Sequence, residues 1–167
     1  LQQFAGTNGA NPAGGLIEAE DGVLYGTTCF GGATNLVTGN LALSTNVGTV
    51  FRINKDGSDF TVLKHFFSWA NGQSTSLQTN GYYPYGQLVQ GTSGALYGTT
   101  SAGGRGLGGT IYTLNTNGTG FSFLRQLTNA TGGAPLSGLA LASDGMLYGT
   151  TFDGGASNSG TIFRIGE

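Results

Sequence analysis

Trp69, Tyr82, Tyr83 and Tyr85, with Asn71 and Gln73 among them and Phe67, Gln78 and Asn80 close by, are the side chains of this 167-residue sequence best suited to hold a ligand. Flat aromatic surface beside amides suits a neutral, polyhydroxylated molecule such as a sugar, whose C–H faces stack while its hydroxyls find donors and acceptors. The same aromatics also suit burial beneath a long loop or at a contact between chains, and both readings stay open in the sequence. Acid–base and nucleophilic chemistry have less to work with. His65 is the single histidine and aligns with Gln3 and Gln126 in other copies of a repeat, so a structural place on an outer strand is expected. Cys29 has no evident base and is expected to be buried. Asp21, Asp56, Asp59 and Asp144 read as turn formers, Asp153 follows a Thr-Thr pair, and Asp56-Gly57-Ser58-Asp59 is too short for a calcium loop. No catalytic residue, metal ligand or cofactor is assigned.

The elements that must position these residues are written three times. Leu-Tyr-Gly-Thr-Thr occurs at Leu24 to Thr28, Leu96 to Thr100 and Leu147 to Thr151, and each copy leads to a Gly-Thr-aliphatic-aromatic segment beginning at Gly48, Gly109 or Gly160. Ahead of each copy lie a proline (Pro12, Pro84, Pro135), an apolar pair or triplet and an Asp-Gly or Ser-Gly turn, the pairs that tolerate φ > 0 in tight hairpins. The prolines are expected at the start of a strand, where a missing N–H is tolerated. The motif glycine is expected to let a neighbouring backbone approach, and the threonines suit a pleated surface. Thr49 to Ile53, Thr110 to Leu114 and Thr161 to Ile165 alternate in the period-2 manner of strands. A further polar turn leads to an outer strand, Leu63 to Phe66 or Leu124 to Leu127, with which Leu1 to Phe4 aligns. Each unit is thus four antiparallel strands, and a repeat of this length is the signature of a β-propeller blade.

The fold class is all-β: a propeller-type array of three four-stranded blades in one unit over residues 1–167. An outer strand lies at 1–4, repeats start near residues 12, 84 and 135, and insertions occupy 33–47 and 67–85. The two insertions fall in connections that emerge on the same rim, so they are expected to build one raised patch. Arg52 and Arg164 share a repeat position and are expected at a blade edge.

Charged residues are 8% of the chain against roughly a quarter in an average soluble protein, and 33 residues are glycine. Apolar residues at fixed spacing argue for a folded, turn-rich chain rather than disorder. A net charge of −2 with six basic residues gives no electrostatic footprint for nucleic acid or an anionic membrane. No apolar run approaches the ~18 residues of a membrane span, and one cysteine excludes an intramolecular disulfide framework. The polar, lysine-poor surface points to secretion.

In its Leu-Tyr-Gly-Thr-Thr, Gly-Gly and Gly-Thr-Val-Phe-Arg-Ile core the chain resembles the GloVer tandem repeats of bacterial secreted or surface-anchored proteins. The resemblance implies a bacterial, extracellular or cell-surface, propeller-like repeat, and it implies no catalytic residue or substrate. The small number of copies and the two insertions depart from the pattern.

Counted as strands, the chain has an outer strand at its beginning and a last blade without one. Three blades are too few to close a ring, since propellers hold four to eight. Leu1 to Phe4 of one chain is therefore expected to complete the last blade of another, most simply in a two-fold dimer of six blades and less simply in a nine-bladed trimer; the rival reading is that the sequence is part of a longer array, whose cut edges would aggregate. The function expected is a non-catalytic scaffold or a carbohydrate- or partner-binding module acting through the aromatic insertion. The alternative is a propeller-fold polysaccharide lyase or hydrolase using His65 or Tyr82 with a carboxylate.

Overall fold

The computed structural model describes residues 2–33, 37–38, 41–44, 47–69 and 80–167. The described residues are all-β. Blade 1 is the sheet β1 (Ile17–Glu18), β2 (Leu24–Thr28), β5 (Thr49–Ile53) and β6 (Thr61–His65), in that spatial order. Between β2 and β5 the chain forms β3 (Val37–Thr38) and β4 (Leu41–Ser44), and after β6 it forms β7 (Ser68–Trp69). Blade 2 follows as β8 (Val89–Gln90), β9 (Leu96–Thr100), β10 (Thr110–Leu114) and β11 (Ser122–Gln126). Blade 3 is β12 (Ala140–Leu141), β13 (Met146–Thr151) and β14 (Thr161–Gly166). All pairings within these sheets are antiparallel. The strands thus stand where the repeat places them, except that Gln2 to Ala5 carry no strand within the single chain. A strand needs an edge to pair with, and Phe4 instead lies against the face of blade 1, on Phe51 and Phe60.

The turn acids hold the motif strand as well as the turn. Asp21 accepts the Val23 amide at 3.0 Å and the Tyr25 hydroxyl at 2.7 Å; Asp144 accepts the Met146 amide at 3.0 Å and the Tyr148 hydroxyl at 2.8 Å. Tyr25 and Tyr148 are in this way tied to the hairpins before them, while Tyr97 has the Ser93 hydroxyl there at 3.4 Å. The motif glycine has a different role from the one expected: side chains, not backbone, press on it. A Cβ on Gly26 would stand 2.7 Å from both the Phe51 ring and the Leu16 side chain, and one on Gly98 would stand 2.5 Å from the Tyr112 hydroxyl and 2.8 Å from Leu88. Glycine at this place makes room for the aromatic ring of the adjacent strand.

The core lies between blades. Tyr25 and Val50 of blade 1 pack with Leu88, Leu96, Tyr112 and Leu114 of blade 2. Blade 2 is flanked on both faces, so every residue of β9 is buried, while β14 alternates between half-buried and exposed because only one of its faces is covered. The prolines also differ from expectation. They precede the strands by about one turn and pack onto the preceding blade, Pro84 on Gly48 and Pro135 on Gly109. The residue before each proline, Asn11, Tyr83 or Ala134, has a positive φ of 54°, 60° or 50°, so this αL-Pro corner recurs at every blade.

Candidate functional site

Paired threonines fix the rim on which the long connections emerge. The second threonine of each motif lies 2.8 Å, oxygen to oxygen, from the threonine opening the next strand: Thr28 with Thr49, Thr100 with Thr110, Thr151 with Thr161. The first threonine reaches across to the neighbouring blade, where Thr27 donates to the Gly86 carbonyl and Thr99 to that of Ser137, both at 3.1 Å. Buried hydroxyls in this arrangement leave little unpaired and lock each blade to the next.

At the seam between blades 1 and 2 the rim carries an aromatic cluster. The Phe30 ring, in the connection after β2, is 5.1 Å from Tyr83 and 6.5 Å from Tyr85, and Tyr82 stacks edgewise on Tyr83 at 5.0 Å. Phe30 is 38% exposed and the three tyrosines are half-buried. The backbone holds the group firmly: Tyr83 donates to the Val47 carbonyl at 2.9 Å and accepts from the Ser101 amide at 3.0 Å, and Tyr82 exchanges bonds with Ala102 at 2.8 and 3.2 Å. Burial, with Cys29 and Tyr83 adding, pushes the Tyr85 hydroxyl above its ordinary range.

The two insertions also meet each other. β3, β4 and β7 form a small sheet, with Leu43 opposite Trp69 and Ser44 opposite Ser68. The two insertions are thus joined through strands that the sequence did not announce. Of the residues singled out in the sequence, Tyr82, Tyr83 and Tyr85 come together and Trp69 contributes its backbone to the small sheet; Asn71, Gln73 and Gln78 lie outside the described residues. Phe30 was missed. Its signal was its place directly after the motif, in the connection that shares a rim with the second insertion.

The titratable candidates hold structure. His65 Nδ1 accepts the Ala33 amide at 2.9 Å, and burial followed by the charge of Lys64 depresses its pKa. Gln126 does the same work in blade 2, its Oε1 accepting the Arg105 amide at 2.7 Å. The Cys29 thiol is buried, lies 3.0 Å from the Asn11 carbonyl oxygen and is pushed up in pKa by desolvation. Lys64 sits 4.2 Å above the Phe121 ring, a cation–π contact, and burial lowers its pKa. Arg52 pairs with Asp59 at 3.0 Å along the edge of blade 1. Among the described residues no three His, Cys, Asp or Glu side chains gather as a metal site would need.

A family model described as the Gloeobacter/Verrucomicrobia repeat matches residues 42–167, three quarters of the chain. No curated protein matches the sequence.

Proposed function

The chain belongs to the Gloeobacter/Verrucomicrobia repeat family, and we propose that it is a non-catalytic extracellular binding module whose ligand is a neutral glycan. The observation that supports this reading is the cluster of Phe30, Tyr83 and Tyr85 across a blade seam. Tyr83 occupies a left-handed backbone position that holds Asn11 and Ala134 in the other blades. A bulky side chain there costs about 1 kcal/mol or more in backbone strain. Its ring helps offset that cost by packing, with Tyr82, against the buried core, and Phe30 beside it stays 38% exposed on the rim. Titratable groups are sparse, and the Nδ1 atom of His65 is engaged by a backbone amide, which favours recognition over acid–base chemistry.

The test is binding of the native chain and of Phe30→Ala, Tyr85→Ala and Tyr83→Asn to an array of neutral glycans. Loss of an anchoring aromatic costs about 2 kcal/mol, roughly 30-fold in affinity. Tyr83→Asn keeps a residue that tolerates the backbone there, so an unchanged melting temperature separates lost binding from lost folding. A native chain that retains no neutral glycan, or variants that bind as the native chain does, would refute the reading.

A further inference from the structure

Two faces of the structure differ from their internal counterparts. Ile162 on β14 is 82% exposed, whereas Val50 and Ile111 at the same place in blades 1 and 2 are 0% and 1% exposed. On blade 1, Leu16 is 48% exposed against 2% for Leu88, and Pro12 is exposed where Pro84 and Pro135 are buried. A groove of about 530 Å³ runs along that blade 1 face between Phe4, Leu16, Leu24, Phe51 and Ile53.

The repeat specifies what fits there. Phe66, just after β6, reaches onto blade 2 with its ring 5.3 Å from Tyr112 and 6.0 Å from Phe121, at 59° and 72°. Phe4 lies on blade 1 in the same manner, 5.3 Å from Phe51 and 5.9 Å from Phe60, at 64° and 78°. Phe51 and Phe60 are the repeat counterparts of Tyr112 and Phe121. Residues 2–4 thus rest where the end of a preceding blade's outer strand rests, and β14 pairs with β13 alone among the described residues.

Polar groups agree with this placement. His65 and Gln126 each accept the amide of the residue after a Gly-Gly pair, Ala33 or Arg105; the corresponding acceptor and donor are Gln3 and the Ala156 amide, at opposite ends of the array. Glu167 takes the Thr92 and Ser93 amides of the preceding blade's hairpin turn at 3.0 and 3.4 Å, and the carbonyl of Thr116 lies 3.4 Å from the Tyr25 hydroxyl next to Asp21. Lys55 is the counterpart of Thr116 and Glu167, and the turn it would face carries Asp144. Lys55 is paired with Glu18 of its own chain, so this placement would bring a second carboxylate to that cation.

We propose that the groove on blade 1 receives blade 3 of a second copy, with Gln2 to Phe4 of each chain pairing along β14 of the other, Gln3 opposite Thr161, to close six blades about a two-fold axis. The register follows from Thr49 opposite His65 and Thr110 opposite Gln126, and the reciprocity from the two-fold. Ile162 points to solvent in a single chain, so Ile162→Arg leaves that chain's folding intact while placing a charge in the new contact. Light scattering at micromolar concentration should give the native 167-residue chain twice its 16.9 kDa mass, and should give Ile162→Arg and, separately, Phe4→Ala one chain's mass with unchanged far-ultraviolet dichroism. A native mass of one chain, a mass of three or more chains, or retention of the two-chain mass by either variant would overturn the proposal.

Discussion

Tyr112→Phe should stabilise the protein, because the structure buries the hydroxyl without giving it a partner. The side chain is 0% exposed, its oxygen has no hydrogen bond among the described residues, and the other blades hold Phe51 and Phe163 at the same place. Desolvating a hydroxyl without compensation costs about 1–3 kcal/mol. Against this, removing the oxygen beside Gly98 opens a void of roughly 10–15 Å³, which at about 24 cal/mol per Å³ returns only ~0.3 kcal/mol. The net gain is about 1–2 kcal/mol, or roughly 3–6 °C in melting temperature for a domain of this size. Calorimetry at pH 7 measures it, and a fall in melting temperature would show that the hydroxyl is bonded. A second arm tests the burial itself. Desolvation pushes the Tyr112 ionisation far above the usual tyrosine range. The unfolded chain releases this proton near pH 10 while the folded chain keeps it, so stability falls by about 1.4 kcal/mol per pH unit above that point. Tyr25, raised to about 12 by burial first and then by its bond to Asp21, continues its own decline in both proteins. Urea unfolding should therefore show the gain from Tyr112→Phe growing by about 1.4 kcal/mol between pH 9 and pH 11. A gain indifferent to pH across that interval would contradict the argument.

His65 supplies an acid counterpart. Its folded pKa is depressed, by burial and then by Lys64, so its contribution is present above the unfolded value near 6.5 and is lost as pH falls through the folded value. His65→Gln retains an acceptor for the Ala33 amide, as Gln126 does for Arg105, and should shrink the difference in urea midpoint between pH 7 and pH 5; an undiminished difference would place the proton-sensitive group elsewhere. For the threonine pair, Thr100→Val orphans the Thr110 hydroxyl and amide and should cost about 1–3 kcal/mol. The double variant with Thr110→Val should cost less than the two single changes together by about 1 kcal/mol in a thermodynamic cycle, and strict additivity would deny the bond.

What could be read in the sequence was what the chain decides locally. Asp21-Gly22 and Asp144-Gly145 dictate hairpins through their own backbone chemistry, and the alternation in Thr110 to Leu114 dictates a strand, so blade order followed from counting. The reasons for particular motif residues were less accessible. Gly98 reads as a backbone contact until Tyr112, fourteen positions on, is seen to lie over it; Pro84 reads as a strand opener until Gly48 is found beneath it. Pairing of Leu43 with Trp69 joins two insertions across a strand pair, and no local pattern announces a contact that must first overcome the entropy of closing that loop.

The candidate site was half legible for the same reason. Tyr82, Tyr83 and Tyr85 could be grouped because they are neighbours in sequence, whereas Phe30 joins them only through the geometry of the seam. Repeat proteins offer a remedy, because each blade is a control for the others. An aromatic at Tyr83 means little alone; set beside Asn11 and Ala134 on the same αL corner, it becomes a residue that the fold does not require and that the backbone disfavours. Phe30, whose counterparts are Ala102 and Asp153, departs from its own position in the same direction. The two departures differ in kind, because Tyr83 packs against the core while Phe30 across the seam stays 38% exposed, so the rim is partly packing and partly open aromatic surface.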